Sequence, residues 1–382
     1  MGEMKKEYLI DIASQSQYQN QNDEYHKAYT EWRMNAHNRF GYKFVKDTRE
    51  HAYVEGEGFR SNDASDTERR TLRDLSALLG GTLLIAALIR LIQAIFTSRL
   101  GNISDGISVR LTGDIKESFI FSTVLSSAFK PVSFILCIVL FQAFIRLPGK
   151  VILPKGKYHS RRQAFEIIMT FCGLSVVCFQ ITTFFEELAG SRLINTPGGF
   201  VWTDNVWLNI YCFFVEYILT AALHAVFFNG LILQSLRQFG DSAAIVVTVI
   251  VETITALTIA NFGVVIVISL MLCNITIKTG SVTDSFIARV LNNMIFFSLK
   301  FIGYNTSGSN SRMIQLIICI VILITAAICL GRLMVDSKWS FRIQNVRTEL
   351  AFSEKMKTIF TALPMIEWLA ASVIAWLYIY MV

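Results

Sequence analysis

Six ionisable residues lie inside apolar stretches of this chain: Arg90, Glu216, His224, Glu252, Arg289 and Glu367, with Asn229, Asn292 and Asn293 as neutral companions. At mid-membrane each Asp, Lys or Arg costs roughly 2.5–3.5 kcal/mol on insertion scales, so such residues need a reason to be there. A carboxylate or an imidazole can activate water, and a guanidinium can stabilise an oxyanion. Arg289 and Asn293 are four apart and share one helix face. His224 and Asn229 are five apart and flank a sector of about 140° on an α-helix. If the Arg289 face meets the helix bearing Glu252, the two can form a buried ion pair. The plainer role for such a group is to hold helices in register through hydrogen bonds.

The elements that would position these residues are membrane spans. The 382 residues are 53% apolar and 17% charged, well below the quarter charged that is usual in soluble domains. Residues 1–75 carry 12 basic and 14 acidic groups, 26 of the 64 formal charges. The sequence therefore predicts an all-α, polytopic transmembrane bundle of eight or nine spans, residues 76–382, behind a polar segment, residues 1–75. With about 20 apolar residues needed per crossing, nine candidates stand out, at 76–96, 118–147, 163–185, 206–235, 243–260, 262–277, 283–303, 313–333 and 359–381. The second contains Lys130-Pro131 and could instead be an interfacial helix followed by a shorter span, because Pro disrupts a helix interior. Residues 243–277 would be over roughly 50 Å long as one helix, so Asn261-Phe262-Gly263 is read as a reversal. All seven cysteines fall in apolar runs without paired spacing and read as small buried hydrophobes.

Basic residues in short loops set the orientation. Arg146, Lys150, Lys155, Lys157, Arg161 and Arg162 follow the second span, and Arg332, Lys338, Arg342, Arg347, Lys355 and Lys357 surround residues 332–357. The loop at 186–204 has only Arg192 against Glu186, Glu187 and Asp204. Nine spans with a cytoplasmic N-terminus satisfy all three loops. The basic residues cluster at span ends rather than along one face, which argues against nucleic acid. No signal-peptide core opens the chain. Residues 54–66 look like a linker, and the first 75 residues read as a solvated cytoplasmic tail, with a docking segment for a partner as the alternative.

FFNGLILQSLRQFGDSAA at 227–244, an apolar pair of spans, and IKTGSVTDSFIARVLNN at 277–293 together resemble the core of the CPBP family, the intramembrane CAAX proteases and bacteriocin-processing enzymes. Phe228, Gly230, Leu233, Leu236, Gly240, Thr279-Gly280-Ser281 and Asn293 fall in that family's order, within a core of about 206–300. The positions that carry the family's chemistry differ. Anchored on Gly230, the family's Glu-Glu pair falls on His224 and Ala225, and its arginine on Asn229. The next helix has Glu252 near the family's Phe and Ala256 near its His, and the last histidine becomes Arg289.

The resemblance implies a bacterial plasma-membrane protein whose relatives are metallo-endopeptidases working in bacteriocin maturation, self-immunity or membrane-protein processing. One imidazole and one carboxylate do not match the usual three protein ligands of a catalytic zinc, and Arg289 would repel a cation. A catalytically degenerate homologue is the expected function, with His224, Asn229, Glu252, Arg289 and Asn293 as its motif-equivalent residues. It would sit in a lipid bilayer and bind a peptide, a prenylated protein or a membrane-protein partner. No cofactor is expected, and a divalent metal enters only if the site hydrolyses. An endopeptidase with a rearranged site, using His224 as base and Arg289 at the oxyanion, is the first alternative. A transporter or a structural subunit of a membrane complex is the second, although no internal repeat supports transport.

Overall fold

The computed structural model describes residues 18–35, 37–43, 52–54, 58–60, 64–98, 115–156, 161–189, 205–256, 262–305, 309–336 and 348–381. Almost all of them are helical. Helix α1 is Asp23–Met34, and a short antiparallel ladder of β1 (Ala52–Val54) and β2 (Gly58–Arg60) follows. The bundle is made of α2 (Ala64–Ser98), α3 (Ile115–Ile145), α4 (Arg161–Ala189), α5 (Val206–Phe239), α6 (Asp241–Ala256), α7 (Phe262–Thr279), α8 (Val282–Asn305), α9 (Ser309–Asp336), α10 (Phe352–Phe360) and α11 (Leu363–Met381).

Six of these helices are long and apolar enough to cross a bilayer, and α10 with α11, bent by 69°, makes a seventh. The expected spans outside that set are α6, at 16 residues, and α8, which carries Asp284, Arg289 and the Asn292-Asn293 pair. Helix α3 runs unbroken through Pro131, so an interfacial helix before a shorter span is not what forms. Pro131 lacks the amide that would bond the Ser127 carbonyl, a loss that helices packed in a bundle tolerate.

Two glycines turn the chain. Gly240 (φ 106°) reverses α5 into α6, and Gly280 (φ 70°) reverses α7 into α8, both in the left-handed region that side chains with a Cβ avoid. At Gly280 a Cβ would also come within 2.3 Å of the Asn20 carbonyl oxygen.

That contact belongs to a correction. Residues 18–43 are not a solvated tail: they pack across one end of the bundle. Tyr25, Tyr29 and Trp32 recur at i, i+4 and i+7 and are buried on one face of α1, with Tyr18 beside them. Asn22 starts the helix by accepting from the Tyr25 amide at 2.8 Å, with Asp23 and Glu24 in the first turn. The Tyr25 hydroxyl donates to Gln234 Oε1 and the Tyr29 hydroxyl to the Gln234 carbonyl, both at 2.9 Å. Trp32 Nε1 donates to the Ile145 carbonyl at 2.9 Å, and Asn20 Nδ2 to the Ile277 carbonyl at 3.3 Å. The segment thus donates to backbone carbonyls near the ends of α3, α5 and α7.

The same end holds Glu68 at the start of α2. Its carboxylate accepts from Thr348 Oγ1 at 2.8 Å and the Leu350 amide at 2.9 Å, while Lys355 lies 3.6 Å away and donates to the Phe239 carbonyl at 2.6 Å. Arg332 on α9 and Glu166 on α4 meet there too, 3.4 Å apart. From α2 onward, helices therefore alternate in direction relative to this head end.

The boundary expected at residue 75 falls inside α2, which begins at Ala64. Of the expected linker at 54–66, Val54 and Gly58–Arg60 pair as strands, while 55–57 and 61–63 lie outside the described residues. Also outside them are Lys157, most of the loop at 186–204, and Lys338, Arg342 and Arg347. Six of the seven cysteines are buried, and Cys178 is half-buried.

Candidate functional site

Helices α5, α6 and α8 converge, and they bring three of the five expected site residues together. Glu252 lies eleven positions into α6, roughly 16 Å along the axis at 1.5 Å per residue. Its Oε1 accepts from the Arg289 guanidinium on α8, and its Oε2 accepts from Ser269 Oγ on α7 at 2.6 Å. The second guanidinium nitrogen of Arg289 is 3.2 Å from His224 Nδ1 on α5, and that ring nitrogen is 3.5 Å from Glu252 Oε1.

These contacts assign the imidazole's protons. A guanidinium nitrogen is always a donor, so its approach to Nδ1 requires a lone pair there. His224 is then neutral, with its proton on Nε2, and the Nδ1 to Glu252 distance is proximity rather than a hydrogen bond. Nε2 is buried without a partner, as is Arg289 Nε. The ring packs against Phe134 on α3 with centroids 4.3 Å apart, and against Phe228 at 5.2 Å.

Asn229 and Asn293 are not in this trio. Asn229 is fully buried one turn nearer the head end, where its Nδ2 lies 3.3 Å from Ser285 Oγ and its Oδ1 lies 3.6 Å from Cys273 Sγ. Asn293 donates to the Tyr217 carbonyl at 3.1 Å and ties α8 to α5 on the far side. The α-helical estimate placed His224 and Asn229 well apart in angle, but Ala225–Ile232 is π-helical. Hydrogen bonds from i to i+5 bring residues five apart closer to one face, and both side chains address α8, at Arg289 and at Ser285.

The other ionisable residues separate by position. Arg90 donates to the Thr255 carbonyl at 2.9 Å, and Glu216 pairs with Lys130 at 3.8 Å. Asn292 accepts from Ser175 Oγ on α4, and Glu367 is exposed on α11. Sequence reasoning missed Ser269, Phe134 and Lys130. A serine and a phenylalanine in apolar spans give no signal, and Lys130 enters the sequence reading only with Pro131, as a possible break within the second span.

The donor set does not fit a catalytic metal. Among the described residues no group of three or more His, Cys, Asp and Glu could hold one, and a guanidinium sits against the single carboxylate and imidazole. The imidazole's one lone pair faces Arg289, and each oxygen of the Glu252 carboxylate already accepts one hydrogen bond, from Arg289 and from Ser269.

The chain matches no protein-family model, no curated protein and no solved structure.

Proposed function

We propose that this chain is a CPBP-like membrane protein that has kept the family's helical core but not its hydrolysis, and that it works by binding a peptide or membrane-embedded partner. The observation that carries the reading is the placement of Arg289, which engages Glu252 and His224 at once, where a hydrolytic relative would have a histidine. The trio holds α5, α6 and α8 in register at mid-membrane, the use of buried polar groups that bilayer-embedded bundles favour.

The reading includes nine passes with the head end in the cytoplasm of a bacterial plasma membrane. The alternating helices, and Lys150, Lys155, Arg162 and Arg332 at the head end, support that orientation. On this reading the short α6, mostly buried, crosses as an inner member of the bundle, and α8 crosses with Ile287, Leu291 and Met294 facing outward.

Full-length protein in detergent, incubated with a prenylated CAAX-type peptide and with a leader peptide, tests the loss of hydrolysis. The expected result is no cleavage, with or without added zinc. Cleavage by wild type that disappears in both Glu252→Gln and His224→Ala would restore the rearranged-protease reading.

A further inference from the structure

A second charged group lies beyond the trio, away from the head end. Lys130 on α3 and Glu216 on α5 stand 3.8 Å apart. Arg90 on α2 reaches across to the Thr255 carbonyl, with its guanidinium carbon 6.0 Å from the centre of the Phe134 ring. Both cations are electrostatically coupled to Glu216. Since Glu252 and Arg289 neutralise each other, these three outer groups sum to one uncompensated positive charge among the described residues.

Arg90 has a carbonyl and a ring face as partners, which solvate a cation without cancelling it. An unmatched charge in hydrocarbon carries the insertion cost stated above, and one monoanion would remove it. Lys130 and its partner Glu216 are also reachable: their side chains are 35% and 27% exposed. Among the described residues of α3 the other exposed side chains are apolar, Val132, Ile135 and Val139 among them. What borders this group in a membrane is therefore lipid tails, and an anion arriving there comes attached to one.

From this arrangement we infer that Arg90 and Lys130, beside Glu216, form a binding site for the anionic head of a single-chain amphiphile, a carboxylate or phosphate monoanion on a hydrocarbon tail, entering sideways between α3 and α5. Resting on the reading of the chain as a binder, the inference supplies its ligand class. It does not depend on whether Glu252 hydrolyses anything. Glu216 would compete with the ligand for Lys130, so this carboxylate sets the affinity and its removal should tighten binding.

Thermal-shift titration of the purified full-length protein in neutral detergent tests this, using oleate, oleyl alcohol and inorganic phosphate as probes. Oleate should raise the melting temperature in a saturable way, and oleyl alcohol and inorganic phosphate should not. The half-saturating oleate concentration should rise at least tenfold in Arg90→Gln and Lys130→Gln and fall in Glu216→Gln, each variant first shown to be monodisperse by size exclusion. Equal shifts from oleate and oleyl alcohol would overturn the inference, as would wild-type affinity in both cation variants. An equal shift from inorganic phosphate would overturn the tail-borne source. If the lysine and arginine variants do not stay monodisperse, Glu216→Gln decides alone: unchanged or weaker oleate binding rejects the site. Failure of any of these leaves the protease assay unaffected, so the two claims fall separately.

Discussion

A single side chain, Arg289, engages both other members of the buried centre. With Arg289 in place, Glu252 has both oxygens occupied and His224 has its lone pair turned to a guanidinium. Removing one partner of a buried ion pair leaves the other charge unsolvated and typically costs about 3–5 kcal/mol. Losing a single neutral hydrogen bond costs nearer 1 kcal/mol. Arg289→Ala should therefore lower the melting temperature several times more than Asn293→Ala, which gives up only its bond to the Tyr217 carbonyl. Similar losses in the two variants would show that Glu252 does not depend on Arg289. The trio was legible in the sequence because ionisable residues in apolar runs are conspicuous. Ser269 and Phe134 were not, since nothing in their residue type separates a ligand from ordinary packing.

At the scale of the element, the head segment is the largest departure from expectation. A chain rich in Gln, Asn, Tyr and charge reads as solvated, yet Tyr25, Tyr29 and Trp32 at helical spacing give α1 one aromatic face, and the carbonyl ends of three helices give it partners. The aromatic spacing is visible in the sequence. Its partners are not, because they are backbone groups more than 100 residues away. Burial pushes the Tyr25 and Tyr29 phenols up from their ordinary range. A phenol whose pKa is raised by docking stabilises the docked form below about pH 10, the unperturbed value, and that contribution falls as pH rises beyond it. Trp32 fluorescence should accordingly hold steady from pH 7 to about 10 and shift above it as the segment releases. A shift centred near neutral pH would contradict docking through neutral phenols.

Gly280→Ala probes the same contact sterically. The substitution forces a Cβ into the Asn20 carbonyl at a left-handed backbone position, and both effects should loosen the segment. Limited proteolysis should cut within residues 18–43 faster in this variant than in wild type. Equal cleavage rates would mean that the segment does not rest on the Gly280 turn.

Over the whole molecule, hydropathy located the helices and left their number of crossings ambiguous. The expected segments all became helices, because long apolar runs have few alternatives when every backbone group must be bonded internally. Span count is harder, since α6 is short and mostly buried, and α8 carries polar residues that pair within the bundle while Ile287, Leu291 and Met294 face outward. Pro131 misled because a bundle tolerates what an isolated helix could not. The alternating arrangement predicts that reporter fusions within 157–160 and 337–347 behave as cytoplasmic, and that one within 190–204 behaves as external. Any one of the three on the opposite side would break the nine-pass orientation.

The central claim is that Arg289 and Glu252 act as one unit at the middle of the membrane, and a double-mutant cycle of Glu252→Gln and Arg289→Gln on thermal or denaturant stability tests it most directly. Each single variant strands a partner, and the double variant strands none, so the account predicts a coupling energy above about 2 kcal/mol. Additive losses would contradict it.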